Sequence, residues 1–226
     1  MLNEWLWMLF AITNFVLLLI MYRLFGKAGL FVWIGMSTVI ANIQVLKTVE
    51  MFGLIATLGN ISYGTVFLAT DILNENHGKK EAKKAVWMGF CSLLFMTIVM
   101  QFAIRFIPHE SDIAQDALAT IFEIVPQIAI GSMAAFLVSQ YIDVWIYSKW
   151  KKKMPSTKWL WLRNNGSTMI SQFIDTFIFC SIAFFGLYSW GDWVMILFTT
   201  YVIKFIIATL DTPFLYLAKR IHGDVQ

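Results

Sequence analysis

The chain has 226 residues, of which 59% are hydrophobic and only 14% charged, with a formal net charge of +3 and a mean hydropathy of +0.69. An average soluble domain carries about 25% charged residues, so a water-soluble fold of this size would lack the charge to cover its own surface. These values exclude a soluble globular domain and point to an apolar exterior solvated by lipid.

A spanning helix needs about 20 mostly apolar residues. In chain order, such runs predict seven spans near residues 4–22, 28–47, 51–73, 85–107, 126–148, 165–187 and 193–217. Asn3 and Glu4 precede the first run and no basic region leads it, so it reads as a retained helix rather than a cleavable signal peptide. Trp5, Trp87, Trp145, Trp150 and Trp190 lie near the ends of apolar runs, where interfacial aromatics collect. Between the fourth and fifth spans, Ile113, Leu118, Ile121 and Phe122 oppose Asp112, Gln115, Asp116 and Glu123, which predicts a short interfacial helix over 112–123. No internal repeat or low-complexity stretch breaks the chain. One membrane domain, 1–226, is expected.

Charge placement supports this count. Arg23 and Lys27, then Lys79, Lys80, Lys83 and Lys84, then the run from Lys149 to Arg163, and finally Lys219 and Arg220 hold 14 of the 17 basic residues. Seven spans put all four segments on one side, and that bias marks the cytoplasmic face. The expected orientation is a plasma-membrane protein with its N-terminus outside and its C-terminus inside. The lysine runs read as topology signals and lipid-headgroup contacts, with no nucleic acid as partner. Cys91 and Cys180 read as two small buried side chains without disulfide or metal spacing. The three histidines are scattered over polar connections, so neither metal nor cofactor is expected.

Ionisable residues inside the spans bear on function. A charge at the bilayer centre costs roughly 2.5–3.5 kcal/mol by insertion measurements, so it faces a cavity or a partner. Asp175 and Lys204 fall midway through the last two spans, at matching depth on neighbouring helices, while Asp71, Asp143 and Asp211 lie nearer the basic ends. Polar side chains recur at helical spacing: Asn164, Thr168, Ser171 and Asp175; Gln140, Asp143 and Tyr147; Asn60, Tyr63, Phe67 and Asp71; and Thr38 and Asn42, with Gln44 beyond. Each set lines one helix face. Turned together, these faces would wall a polar cavity suited to a small polar solute. Asn, Gln, Ser and Thr also bridge helices with no ligand involved, at about 0.6–2 kcal/mol each, and a structural Asp–Lys pair is the competing reading for Asp175 and Lys204.

At these residues the chain resembles the queuosine precursor transporter family, formerly grouped as vitamin uptake transporters. Phe67-Leu68-Ala69-Thr70-Asp71 matches its FLATD motif, and Gln140-Tyr141-Ile142-Asp143-Val144 is similar to its QxxDV element. Ser167-Thr168 through Asp175-Thr176, followed by Phe177 to Phe185, looks like its ST…DT stretch, and Lys204-Phe205 resembles its final helix. The similarity runs from about Ala28 to Leu217. It implies an all-α six-helix transporter core over 28–217, to which this chain adds an N-terminal helix over 4–22. It further implies uptake of a 7-deazaguanine: the cyano precursor, the aminomethyl precursor or the queuine base. On that reading Asp71, Gln140 and Asp175 would meet the polar edge of the base, with Asn42 and Asn60 completing it. Tyr63 and Phe67 would stack on the bicycle, Gln44, Asp143 and Ser171 would line the same cavity, and Lys204 would set the ionisation of Asp175. A homodimer is compatible with a core this small.

Two other readings compete. A substrate-binding subunit of an ATP-driven importer would have a similar size, but the chain has no Walker motif and no run of paired small residues for docking on a partner helix. A membrane enzyme is disfavoured because no HExxH, GxSxG or GxGD motif and no nucleophile accompanies the carboxylates. A scaffold would leave the cost of Asp175 and Lys204 unexplained.

Overall fold

The computed structural model describes residues 2–51, 54–123, 125–183 and 189–225. It is a helical membrane protein whose outer surface is studded with exposed Leu, Ile, Phe, Trp and Met side chains. The first element, α1 (Leu2–Gln44), is broken at Gly26, which adopts φ 55 and ψ −138. A straight helix of 43 residues would run about 65 Å, twice the hydrocarbon thickness of about 30 Å. Instead it doubles back. A Cβ on Gly29 would lie 2.2 Å from the carbonyl oxygen of Met21, and Asn3 Nδ2 at one end donates to the Glu50 carbonyl, 3.0 Å away, beyond the other end. The arms 2–25 and 27–44 are thus antiparallel, as the two separate apolar runs predict.

The next expected span is corrected in part. Its first residues form an antiparallel hairpin, β1 (Thr48–Met51) with β2 (Leu54–Thr57), pairing Thr48 with Thr57 and Met51 with Leu54. β-Branched Thr48, Val49, Ile55 and Thr57 suit this conformation, a short hairpin on an otherwise helical membrane fold. Phe52 and Gly53 lie outside the described residues. Helix α2 (Gly59–Asn76) follows and is the hub of the molecule: 16 of its 18 residues are buried. Gly59 permits its entry, because a Cβ there would meet the Ala41 carbonyl oxygen at 2.6 Å.

Helix α3 (Lys79–Ala103) packs on α1 and α5, and α4 (Gln115–Phe122) is the short amphipathic helix expected over 112–123. Asp112 Oδ1 accepts from the Ala114 and Gln115 amides at 2.6 and 3.0 Å and so starts α4. Ile113 falls before the helix and is fully exposed, while Phe122 packs against Met96, Met100 and Met133. Helix α5 (Val125–Lys153), a single 3₁₀ turn (Thr157–Trp159) and α6 (Leu160–Ala183) form a closely packed pair. Residues 184–188, the end of the sixth expected span, are outside the described residues.

The last expected span is interrupted. Helix α7 (Trp190–Leu210) gives way at Asp211 to α8 (Thr212–Val225). Pro213 cannot donate a backbone hydrogen bond, and the Asp211 carbonyl instead accepts from Phe214 and Leu215. Among the described residues, three stretches are long and apolar enough to cross a membrane: Asn3–Gln44, Lys79–Ala103 and Trp193–Ile221. Helices α2, α5 and α6 owe their lower hydropathy to polar faces that meet one another rather than lipid. Cys180 is buried, but Cys91 is exposed on α3, contrary to expectation, because that face of α3 also presents Trp87, Phe95 and Ile98 outward.

Candidate functional site

Polar residues three and four apart on α2, α5 and α6 converge along the centre of the bundle. The FLATD segment lies within α2, so Thr70 and Asp71 reach its buried neighbours. Antiparallel packing of α5 on α6 sets Ser139 against Asp175 and Ser171 against Asp143. The Ser139 hydroxyl donates to Asp175 Oδ1 at 3.0 Å, and the Ser171 hydroxyl to Asp143 Oδ1 at 2.9 Å.

Asp175 forms the expected ion pair. Lys204 Nζ on α7 lies 2.5 Å from Asp175 Oδ2, with both side chains buried. The same ammonium stands 5.7 Å from the centroid of the Tyr63 ring, a cation–π contact. Tyr63 in turn meets Phe136 edge-on at 5.9 Å and Phe67 at 6.5 Å.

One helical turn towards the basic end sits a second cluster. Thr70 Oγ1 donates to Gln140 Oε1 at 3.1 Å, and Thr168 Oγ1 to Asp71 Oδ2 at 3.3 Å. The Asp71 and Asp143 carboxyls lie within hydrogen-bonding reach of each other. Yet Asp71 Oδ1, Asp143 Oδ2 and Gln140 Nε2 have no partner among the described residues, although all three side chains are buried. An unsatisfied buried polar atom costs about 1–3 kcal/mol, which makes this cluster the candidate for contact with a polar solute. Further along α6, Asn164 Oδ1 and Gln172 Oε1 are likewise unpartnered, while Asn164 Nδ2 donates to Asp211 Oδ1 at 2.7 Å.

The remaining expected site residues divide. Phe67 is buried beside this cluster on α2. Asn42 is spent on its own helix, donating to the Thr38 carbonyl at 2.8 Å. Gln44 Oε1 accepts from Ser62 at 2.7 Å, and Asn60 is buried in the same first turn of α2. Eleven residues separate Asn60 from Asp71, about 16 Å along a helix, so Asn42, Gln44 and Asn60 lie apart from the carboxyl cluster.

A third cluster closes the basic end, and the sequence reading missed it. Glu75 on α2 accepts from Arg163 Nη2 at 2.9 Å, Lys219 Nζ at 2.5 Å and the Tyr147 hydroxyl at 3.2 Å. Lys151 Nζ stands 3.6 Å from the same carboxylate and donates to the Asn74 and Glu75 carbonyls. Burial pushes the Glu75 carboxyl up, but the bond from Lys219 and the charges of Lys151, Arg163 and Lys219 together outweigh it and hold it below its ordinary value. Arg163, counted from sequence as a loop charge, is fully buried and also donates to the Met154 and Ser156 carbonyls. The signal was present: Glu75 is one helical turn past Asp71 and extends the Tyr63–Phe67–Asp71 face. Among the described residues no cluster of His, Cys, Asp and Glu is arranged to hold a metal ion.

The family profile described as "Putative vitamin uptake transporter" matches residues 57–218. A Bacillus subtilis (strain 168) protein named "Probable queuosine precursor transporter" is 53% identical over 220 residues, covering 97% of this chain and 96% of its own. A Haemophilus influenzae protein of the same name is 26% identical, covering 75% of this chain and 70% of its own. The "Queuosine precursor transporter" of Escherichia coli (strain K12) is 27% identical over 64% of this chain and 62% of its own. No solved structure matches. The matched region takes in α2, α5, α6 and α7, which carry the three clusters but for Lys219 on α8, and the chain belongs to the queuosine precursor transporter family, a family of transporters and not of enzymes.

Proposed function

We propose that this protein imports a queuosine precursor: 7-cyano-7-deazaguanine, 7-aminomethyl-7-deazaguanine or the queuine base. The observation that carries this reading is the set of unpartnered atoms at the second cluster. Asp71 Oδ1 and Asp143 Oδ2 are acceptors and Gln140 Nε2 is a donor. A guanine-like edge offers two adjacent N–H donors beside a carbonyl acceptor, the complement of that set. Phe67, buried one turn away on α2, supplies an aromatic face, and base–aromatic stacking is worth about 1–3 kcal/mol. The names of the relatives support the same solute class.

In this reading the chain crosses the plasma membrane seven times, with the N-terminus outside and the Glu75 cluster at the cytoplasmic end. The doubled-back α1 supports two crossings where a single helix would give one, and the clustered lysines support the orientation. The test is precursor uptake in a bacterium unable to make 7-deazaguanines and lacking its own importer. Expression of this chain restores queuosine to tRNA at low external precursor, without a co-expressed ATPase. Failure with well-inserted protein would mean a different solute.

A further inference from the structure

Asp71, Asp143 and Asp211 are three buried carboxyls at the meeting of α2, α5 and the α7–α8 junction. Every buried cation near them is already engaged: Lys204 pairs with Asp175, and Arg163 pairs with Glu75. Among the described residues none of the three has an ion pair. Asp211 is answered by the amide of Asn164 at 2.7 Å. Asp71 and Asp143 are each answered by one hydroxyl, from Thr168 and Ser171, and then face each other with one acceptor apiece left over.

Two carboxylates cannot bond to each other, because each only accepts. They can approach only when one proton lies between them, as in carboxyl dyads, where like charges in one site do not both ionise. We propose that Asp71 and Asp143 bind one exchangeable proton between them, and that the solute displaces it. The buried Gln140 Nε2, unpartnered and one turn from Asp143, is a second sign that something else enters here. The two N–H groups of a guanine-like edge satisfy the same two oxygens that the proton bridges, so solute and proton compete. The proton passes from the dyad to solvent when the solute binds and returns when it leaves.

The groups around the dyad do not supply a rival proton donor of this kind. From α6 it faces only the hydroxyls of Ser167, Thr168 and Ser171. From the α7–α8 junction it faces Asp211, a further carboxyl that, when ionised, strengthens the need for the proton. Below it on α5 is Tyr147, already donating to Glu75 beside Arg163. The Asp175–Lys204 pair, one turn up α6, is self-neutralised.

Displacement rests on the solute assignment above, whereas the proton site itself does not. Infrared spectra of the lipid-reconstituted protein at neutral pH would show the carbonyl band of a protonated carboxylic acid. Asp143→Glu would shift it, and Asp71→Asn with Asp143→Asn would remove it, while Asp211→Asn would leave it. A missing band, or one that survives the double substitution, would overturn the site. Calorimetry with 7-cyano-7-deazaguanine in two buffers of different ionisation heat would report close to one proton released, with affinity weakening about tenfold per pH unit on the acid side of the dyad's titration. Equal heats in both buffers would overturn displacement and leave the solute standing. No binding heat in either would sink the solute, and the infrared band would still decide the proton site.

Discussion

Replacing Glu75 by Gln removes one charge from a cluster that includes three cations, and the structure says which of the three will suffer. Lys151 and Lys219 have side chains 33% and 32% exposed, so each can swing its ammonium into water. Arg163 is 0% exposed and has no such exit. Its remaining bonds, to the Met154 and Ser156 carbonyls, do not neutralise it. Breaking a buried ion pair by removing one partner costs about 3–5 kcal/mol, whereas a partly exposed lysine pair is worth about 0–1 kcal/mol. Glu75→Gln is therefore expected to cost several times what Lys219→Ala or Lys151→Ala costs. At about 2–4 °C per kcal/mol for a chain of this size, its apparent melting temperature in detergent falls by on the order of 10 °C. Glu75→Leu combined with Arg163→Met removes both buried charges and recovers most of the loss. If Glu75→Gln and Lys219→Ala shift melting equally, or the double variant melts no higher than Glu75→Gln, then Arg163 is not the stranded charge and the argument fails.

The same cluster carries a pH signature. The Glu75 carboxyl is held below its ordinary value in the fold, so its contribution is fully present above the unfolded value of about 4.3 and is lost as pH falls through the lower folded value. Melting measured downward from pH 5 should decline in the wild type and, for this contribution, stay flat in Glu75→Gln; parallel curves would refute the assignment. At the ion pair, Lys204→Met strands Asp175 and should lower stability by about 3–5 kcal/mol, while Asp175→Asn with Lys204→Met should restore melting but not precursor uptake. Recovery of uptake in that double variant would make the pair purely structural. Gly59→Ala drives a methyl against the Ala41 backbone at 2.6 Å, whereas Gly64→Ala meets the Cγ2 methyl of Ile207 at 2.4 Å, a side-chain group that can turn where backbone cannot. An overpacking loss of about 1–3 kcal/mol is expected for Gly59→Ala and a smaller one for Gly64→Ala, read by thermal melting; the reverse order would contradict the close approach of α2 to α1.

Much of the architecture could be read from periodicity because lipid-facing helices announce themselves through long apolar runs. The arms of α1, α3 and α7 fall where those runs predict. Elements that depend on local backbone chemistry were harder. Residues 51–57 of the hairpin are as apolar as the helix they were assigned to, and hydropathy does not distinguish a strand from a helix in so short a run. The break at Asp211 is signalled by Pro213, but continuous hydropathy across it favours one span. The site was legible where charge had to be matched at depth, as with Asp175 and Lys204. It was less so for Asn42, Gln44 and Asn60, because an amide on a helix face satisfies itself on its own backbone or a neighbour as readily as it meets a solute. Glu75 was overlooked because the predicted span ended at residue 73, and a charge beyond a span looks solvated until three other helices close over it.

The crossed hydroxyl–carboxylate contacts between α5 and α6 constrain how the protein can move. Ser139 faces Asp175 and Asp143 faces Ser171. A slide of one helical turn between the two helices would bring Asp143 opposite Asp175 and strip both of their hydroxyl donors. Like charges meeting in a medium of low dielectric repel strongly, so these two helices are locked in register and travel as one body.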